Sequence, residues 1–319
     1  MKIQGKLVLI TGASSGIGAA LARAVAAAGA RPLLLARREA ELRQVAASLG
    51  PSAEGLVYPV DLSDAKAVDD VTARITREVG TPDVLVNNAG AGRWRFVDET
   101  TPEEAMRMMA VPYFAAFCVT HAFLPAMVQR GSGHIVNVSS VASHFVWPGA
   151  TAYTAARWAV RGFTEALRAD LKGSGVGVTL FECGVVKTPY WEHNPGSRER
   201  VPKMGKLVPE LTPDQVASAI IGGIEHNRHY VVTPFMMEDD YPATRRRPSR
   251  GAVAHDCYGV QAASLIAGSH ALAGVVCLDA CRTGPYAIAT KPIQIDKGTP
   301  GESRGRKATG PRFLRVATS

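Results

Sequence analysis

Residues 153–157 read YTAAR, so a helix there puts the Tyr153 phenol and the Arg157 cation one turn apart on one face. A phenol beside a fixed positive charge is a candidate proton donor. An ordinary phenol titrates at ~10, and a cation about 4–6 Å away lowers such a value by roughly 1–3 units. The spacing alone carries little. With 8 Tyr and 36 Lys or Arg in 319 residues, about one such pair arises by chance. A second pair does occur, Tyr241 and Arg245.

A different chemistry is written in TGASSGIG, residues 11–18, which follows the apolar run KLVLIT. Gly12, Gly16 and Gly18 lie between a strand pattern and a helix pattern. A turn there brings backbone N–H groups at a helix N-terminus to a pyrophosphate, and a side chain would block the approach. The next strand pattern, RPLLLA, carries Ala36 where an acid would bind the adenosine ribose hydroxyls. Arg37 and Arg38 follow. Cations accept a 2′-phosphate that a carboxylate repels, which favours NADP(H) over NAD(H), with Arg37 as the phosphate contact.

These residues need a frame to hold them. Apolar runs at 6–11, 31–36, 55–60, 83–87, 134–138, 176–181 and 229–233 predict strands, with helical stretches between them. Gly29 is set to stop the first helix. Thr101-Pro102 with Glu104, and Thr212-Pro213, read as helix starts. The alternation predicts an α/β fold, a doubly wound parallel sheet of Rossmann type in one domain, residues 1–240. Ligands bind such sheets at the carboxyl ends of the strands.

With these motifs in place, the chain resembles the short-chain dehydrogenase/reductase family over about residues 5–240. The resemblance rests on TGASSGIG after the first strand, Asp61-Leu62, NNAG at 87–90 and NVSS at 137–140. Ser140 stands thirteen residues before Tyr153, the spacing of the family's active-site serine and tyrosine. Tyr241 has Arg228 at that distance and fails the test.

The resemblance implies hydride transfer between a nicotinamide and a carbonyl or alcohol carbon, with Ser140, Tyr153 and Arg157 as the catalytic residues. Tyr153 would exchange the proton and Ser140 would hydrogen-bond the substrate oxygen. The implied dinucleotide contacts are Gly12, Ser14, Ser15, Gly16, Ile17, Gly18, Arg37, Asp61, Leu62, Asn88, Ala89, Gly90, Tyr153, Arg157 and Thr188. Residues 190–211 fall where the family varies to fit its substrates. Trp94, Phe96, Phe145, Trp147, Tyr190 and Trp191 are candidates for the lining of an apolar substrate pocket, or for core and subunit contacts. Assembly as a homo-dimer or homo-tetramer is implied as well.

Three residues depart from the family pattern. Arg157 replaces the usual Lys, keeping the charge but resisting deprotonation. Pro112 stands where an Asn helps hold a relay water, and inside a helix it is expected to force a kink or break. Cys183 replaces a Pro before Gly184. These changes leave open an alternative, a dinucleotide-binding regulatory or scaffold protein with impaired catalysis.

Residues 1–240 hold 24 basic and 24 acidic residues, whereas residues 241–319 hold 12 and 4. The formal charge of +8 therefore belongs to the last quarter, and the main domain is not expected to bind nucleic acid. The tail reads as a poorly ordered basic appendage. It contains an uncharged run at 257–278, too weakly apolar for membrane contact to be expected. Five Cys form no metal or disulfide framework. No metal site is expected, and the chain reads as reduced and cytoplasmic.

Overall fold

Leu, Val and Ile runs with few charges make strands that are buried on both faces, which is the condition of a parallel sheet. The computed structural model describes residues 1–50, 56–90, 92–201 and 209–234. In it these runs become β1 (Leu7–Thr11), β2 (Arg31–Ala36), β3 (Val57–Pro59), β4 (Val84–Asn87), β5 (Gly133–Ser140), β6 (Val176–Cys183) and β7 (Tyr230–Thr233). All pair in parallel, in the order β3-β2-β1-β4-β5-β6-β7.

Helices cover both faces. On one lie α1 (Gly16–Ala27), α2 (Glu39–Ala47) and α8 (Pro213–Glu225). On the other lie α3 (Ala65–Glu78), α5 (Ala115–Arg130) and α6 (Thr151–Asp170). The two-residue period of a strand divides the core between them. Val8 and Ile10 of β1 join Leu21, Val25, Ile220 and Ile224, while Leu7 and Leu9 join Val68, Ile75, Phe123 and Met127. The chain steps outward from β1 to β3, then returns through α3 to β4 on the other side of β1. The crevice beyond the ends of β1 and β4 is thus the topological switch point.

Local signals set several boundaries. Gly29 takes φ +76° just past α1. Thr101 and Thr212 each form a full capping box, with Glu104 and Gln215, at the starts of α4 (Pro102–Met109) and α8. A last short helix, α7 (Tyr190–His193), follows β6. The expected kink or break at Pro112 is replaced by something milder. Residues Ala110–Phe114 form a π-helical turn that joins α4 to α5 without a gap, and the Ala115 N–H reaches the Ala110 carbonyl. The wider turn accommodates the ring and the missing N–H of a buried Pro112. Residues 241–319, including the Tyr241–Arg245 pair, lie outside the described residues.

Candidate active site

The glycine turn is built for close backbone approach. Gly12 and Gly16 adopt φ +68° and +54°. A Cβ on Gly12 would lie 2.9 Å from the Ala89 Cα, and one on Gly18 would lie 2.2 Å from the Gly12 carbonyl oxygen. Gly18 therefore fixes α1 against the turn, while the unpaired N–H groups of the first turn of α1 are left for an anion. A residue missed by sequence reasoning, Thr11, ties the floor together. Its hydroxyl oxygen accepts the Asn88 and Ala89 N–H groups, both at 2.9 Å, and its carbonyl accepts the Asn88 side-chain amide at 2.9 Å. The signal was present, because a Thr closing the first strand faces the end of β4 across one ladder.

The two arginines after β2 part ways. Arg38, not Arg37, crosses to the glycine turn and donates to Ser14 Oγ at 3.2 Å and Ser15 Oγ at 3.0 Å. It also reaches Glu41 at 3.5 Å and His193 Nε2 at 3.4 Å. Arg37 lies toward Asp61. Burial pushes that carboxyl up, but hydrogen bonds from Ser63 and the Arg37 charge outweigh it and hold Asp61 below its ordinary value. Both arginines line the crevice.

Ser140 ends β5 and opens a one-turn 3-10 helix, its hydroxyl accepting the Ala142 N–H at 3.2 Å. Beneath it sits a buried polar cluster that the sequence gave no sign of. The Ser143 hydroxyl meets the Ser140 carbonyl at 2.8 Å and the Glu182 carboxylate. His144 Nε2 donates to Glu182 at 3.1 Å, and the Arg161 guanidinium reaches the His144 ring. Burial raises the Glu182 pKa, against the opposing effects of His144 and Arg161.

Tyr153 and Arg157 face the same crevice from the first turns of α6, 8% and 6% exposed. The Arg157 guanidinium lies 4.9 Å from the Tyr153 ring centroid. Its fit is close, because a Cβ on Gly90 would meet Nη2 at 2.9 Å, and its Nε–H is buried without a partner. Burial disfavours the Arg157 charge, yet Tyr153, Tyr190 and Cys183 around it raise its pKa further above an already high value. Burial holds the Cys183 thiol at about 12, so it stays neutral.

These groups share one cavity of about 1130 Å³. Every sequence-predicted site residue lines it except Gly18, which lies under the turn. Of the six candidate aromatics, Trp94, Trp147, Tyr190 and Trp191 line it, and Phe96 and Phe145 do not. Phe96 is exposed beneath the Arg200 guanidinium, 5.1 Å away, and Phe145 packs behind Trp147 with Val141 and Val232. The positive-φ glycines, the free helix N-terminus and the Arg38–Ser14–Ser15 cluster suit a dinucleotide with its phosphates on the turn.

Comparison with known proteins bears on this arrangement. A family profile described as short chain dehydrogenase matches residues 6–198. A Drosophila melanogaster protein named dehydrogenase/reductase SDR family protein 7-like is 34% identical over 227 residues, covering 69% of this chain and 70% of that protein. A short-chain dehydrogenase from Sphingobium yanoikuyae, solved in complex with NADPH, superposes with a TM-score of 0.65 at 27% identity, covering 79% of this chain and 99% of that one. A short chain dehydrogenase/reductase from Burkholderia phymatum, solved in complex with NAD, gives 0.68 at 26% identity, over 75% and 92%.

Proposed function

The chain belongs to the short-chain dehydrogenase/reductase family, an oxidoreductase family, and from that premise we propose that it interconverts carbonyl and alcohol groups with NADP(H), Tyr153 exchanging the proton. The observation that carries this reading is the meeting of Ser140, Tyr153 and Arg157 in the same cavity as the glycine turn. A nicotinamide dinucleotide bound there supplies or accepts the hydride. The protein's own groups handle the oxygen. Ser140 donates a hydrogen bond to it, and Tyr153 delivers the proton in reduction and removes it in oxidation. Arg157 keeps a fixed positive charge beside the phenol and presents donors to the nicotinamide ribose. Nothing in this geometry favours a purely regulatory role, because Pro112 sits within a continuous helix and leaves the catalytic side chains facing the cavity.

NADP(H) is the preferred dinucleotide in this reading. Its support is Arg38 with the Ser14 and Ser15 hydroxyls, a donor cluster shaped for a phosphate, and Arg37 at the same rim. The substrate is apolar, since Trp94, Trp147, Tyr190 and Val201 form the wall beside Tyr153.

The test is Tyr153→Phe. Phe keeps the ring and has no proton to give. We expect reduction of a panel of ketones and aldehydes to fall by at least about 100-fold while NADPH binding by calorimetry stays within about twofold. Undiminished turnover would overturn the reading.

A further inference from the structure

We propose that Trp94 is a positioning residue for Tyr153, and that it carries the seating of the substrate loop to the proton donor. The inference rests on the reading of Tyr153 given above. Tyr153 lies in the first turn of α6, whose cap residue Ala150 makes no side-chain capping bond. The Thr151 N–H at its start meets the Arg95 carbonyl only at 3.4 Å, and proton transfer tolerates little displacement of the donor. The phenol ring must therefore be held by its neighbours, and Trp94 is the largest of them. Its ring stands 5.4 Å from the Tyr153 ring at a 35° tilt. Behind it Trp147 stacks at 6.0 Å and 20°, and Phe145 follows at 6.2 Å. The Gly92 backbone closes the gap from below, for a Cβ there would come within 2.8 Å of Tyr153 Cδ2.

Residues 92–94 belong to no helix or strand, so their position depends on what binds them. An ion pair from the exposed Arg93 to Glu104 at 3.7 Å is one tie, and two hydrogen bonds, both involving the segment just after Thr188, are the others. The Tyr190 hydroxyl donates to the Gly92 carbonyl at 2.7 Å, and the Trp94 N–H donates to Ser197 Oγ at 3.0 Å. Ser197 is fully buried and Trp94 is 6% exposed. The segment that shapes the substrate side thus holds the backbone that presses on the proton donor. The identity of residue 94 fits this role. Its indole N–H is buried against the Tyr190 hydroxyl, in a geometry short of a full hydrogen bond. What the indole adds is breadth, enough to bridge from Trp147 to Tyr153.

The experiment compares Trp94→Ala and Trp94→Phe with the wild-type full chain, using NADPH and phenanthrenequinone as the carbonyl probe. A second readout is the fluorine NMR signal of Tyr153 in protein labelled with meta-fluorotyrosine, assigned by its loss in Tyr153→Phe. We expect Trp94→Ala to lower kcat by about 10–100-fold, with NADPH affinity within about twofold. Trp94→Phe should restore kcat to within about threefold of wild type, because a ring again contacts the phenol. The Tyr153 signal should broaden or shift in the Ala variant and recover in the Phe variant. The clamp is refuted if Trp94→Ala keeps both its kcat and its Tyr153 signal. It is equally refuted if the variant loses turnover and NADPH binding in step, as a merely unfolded loop would. Activity surviving in Tyr153→Phe would instead overturn the functional reading, and the NMR comparison would still decide whether Trp94 orders the ring.

Discussion

Arg157 shows how far a single residue can be read from sequence. Its type and its offset from Tyr153 are visible in YTAAR, but not that it would be almost wholly buried with an unpartnered Nε–H. A buried guanidinium keeps its proton throughout the accessible pH range, so in the proposed mechanism it would act by charge and by hydrogen-bond donation rather than by relaying protons. Arg37 and Arg38 mark the limit of such reading. The two are adjacent and chemically identical, and β2 ends one residue before them. The turn into α2 decides which one faces the glycine loop, and here it turns Arg38, the residue capping α2, toward Ser14 and Ser15. If that cluster takes the 2′-phosphate, Arg38→Ala should weaken NADPH binding by about 10–100-fold and leave NADH binding nearly unchanged. Arg37→Ala should cost NADPH less than Arg38→Ala does. Calorimetric titration of both variants with both dinucleotides measures this, and equal losses for NADH and NADPH would assign Arg38 a structural role instead.

At the scale of elements, the strands were legible because burial on both faces demands uninterrupted apolar runs, and the helix starts because Thr-Pro with Glu or Gln three residues past the cap leaves few alternatives. The π turn at Pro112 was not, since the pattern shows that a helix is disturbed and not how the disturbance is absorbed. Buried polar pairs between strands were equally hidden, because they depend on register. His134 on β5 is one of them. Its Nε2–H donates to Thr179 of β6 at 2.8 Å, and the Thr179 hydroxyl in turn donates to the Arg228 carbonyl at 2.6 Å. Burial, the N-terminal charge and His229 lower its pKa to about 4. The folded protein thus holds His134 neutral where the unfolded chain would protonate it. Stability from this site is complete above about pH 6.5 and is lost as pH falls toward 4. The loss by pH 4.5 should be about 2–3 kcal/mol. Urea unfolding of wild type and His134→Gln at pH 7.5 and pH 4.5 checks the sign. The variant should lose less stability on acidification than wild type, and an equal loss would mean that other groups set the acid limit.

Among the described residues, the candidate chemistry gathers at one crevice, while a run of exposed apolar side chains on the helices lies outside its lining. Within the continuous helical stretch Pro102–Arg130, an 18-residue window reaches a mean hydropathy of 1.6, long and apolar enough, by composition alone, to cross a membrane. Part of that apolarity is spent on the core, where Val119, Phe123 and Met127 are buried against the sheet. The rest points outward. Met106, Phe114, Phe117 and Val128 are exposed along α4, the π turn and α5, and Trp158 is exposed on α6. Phe117 and Tyr113 pack on Phe163 of α6 at 5.8 and 6.0 Å, so the aromatic surface runs across two helices. A helix apolar on both sides needs a partner for its outer face, and a second copy of the same face satisfies it by two-fold symmetry. We expect the protein to sediment as a dimer or larger homo-oligomer. Phe117→Glu with Trp158→Glu should place like charges across that contact and release monomers at micromolar concentration. Neither residue lines the active-site cavity, so NADPH affinity should survive in the monomer. Analytical ultracentrifugation with a parallel titration separates the outcomes. A double variant that sediments like wild type would move the interface to another face, and a wild type that is already monomeric would remove the second copy as the cover for these aromatics.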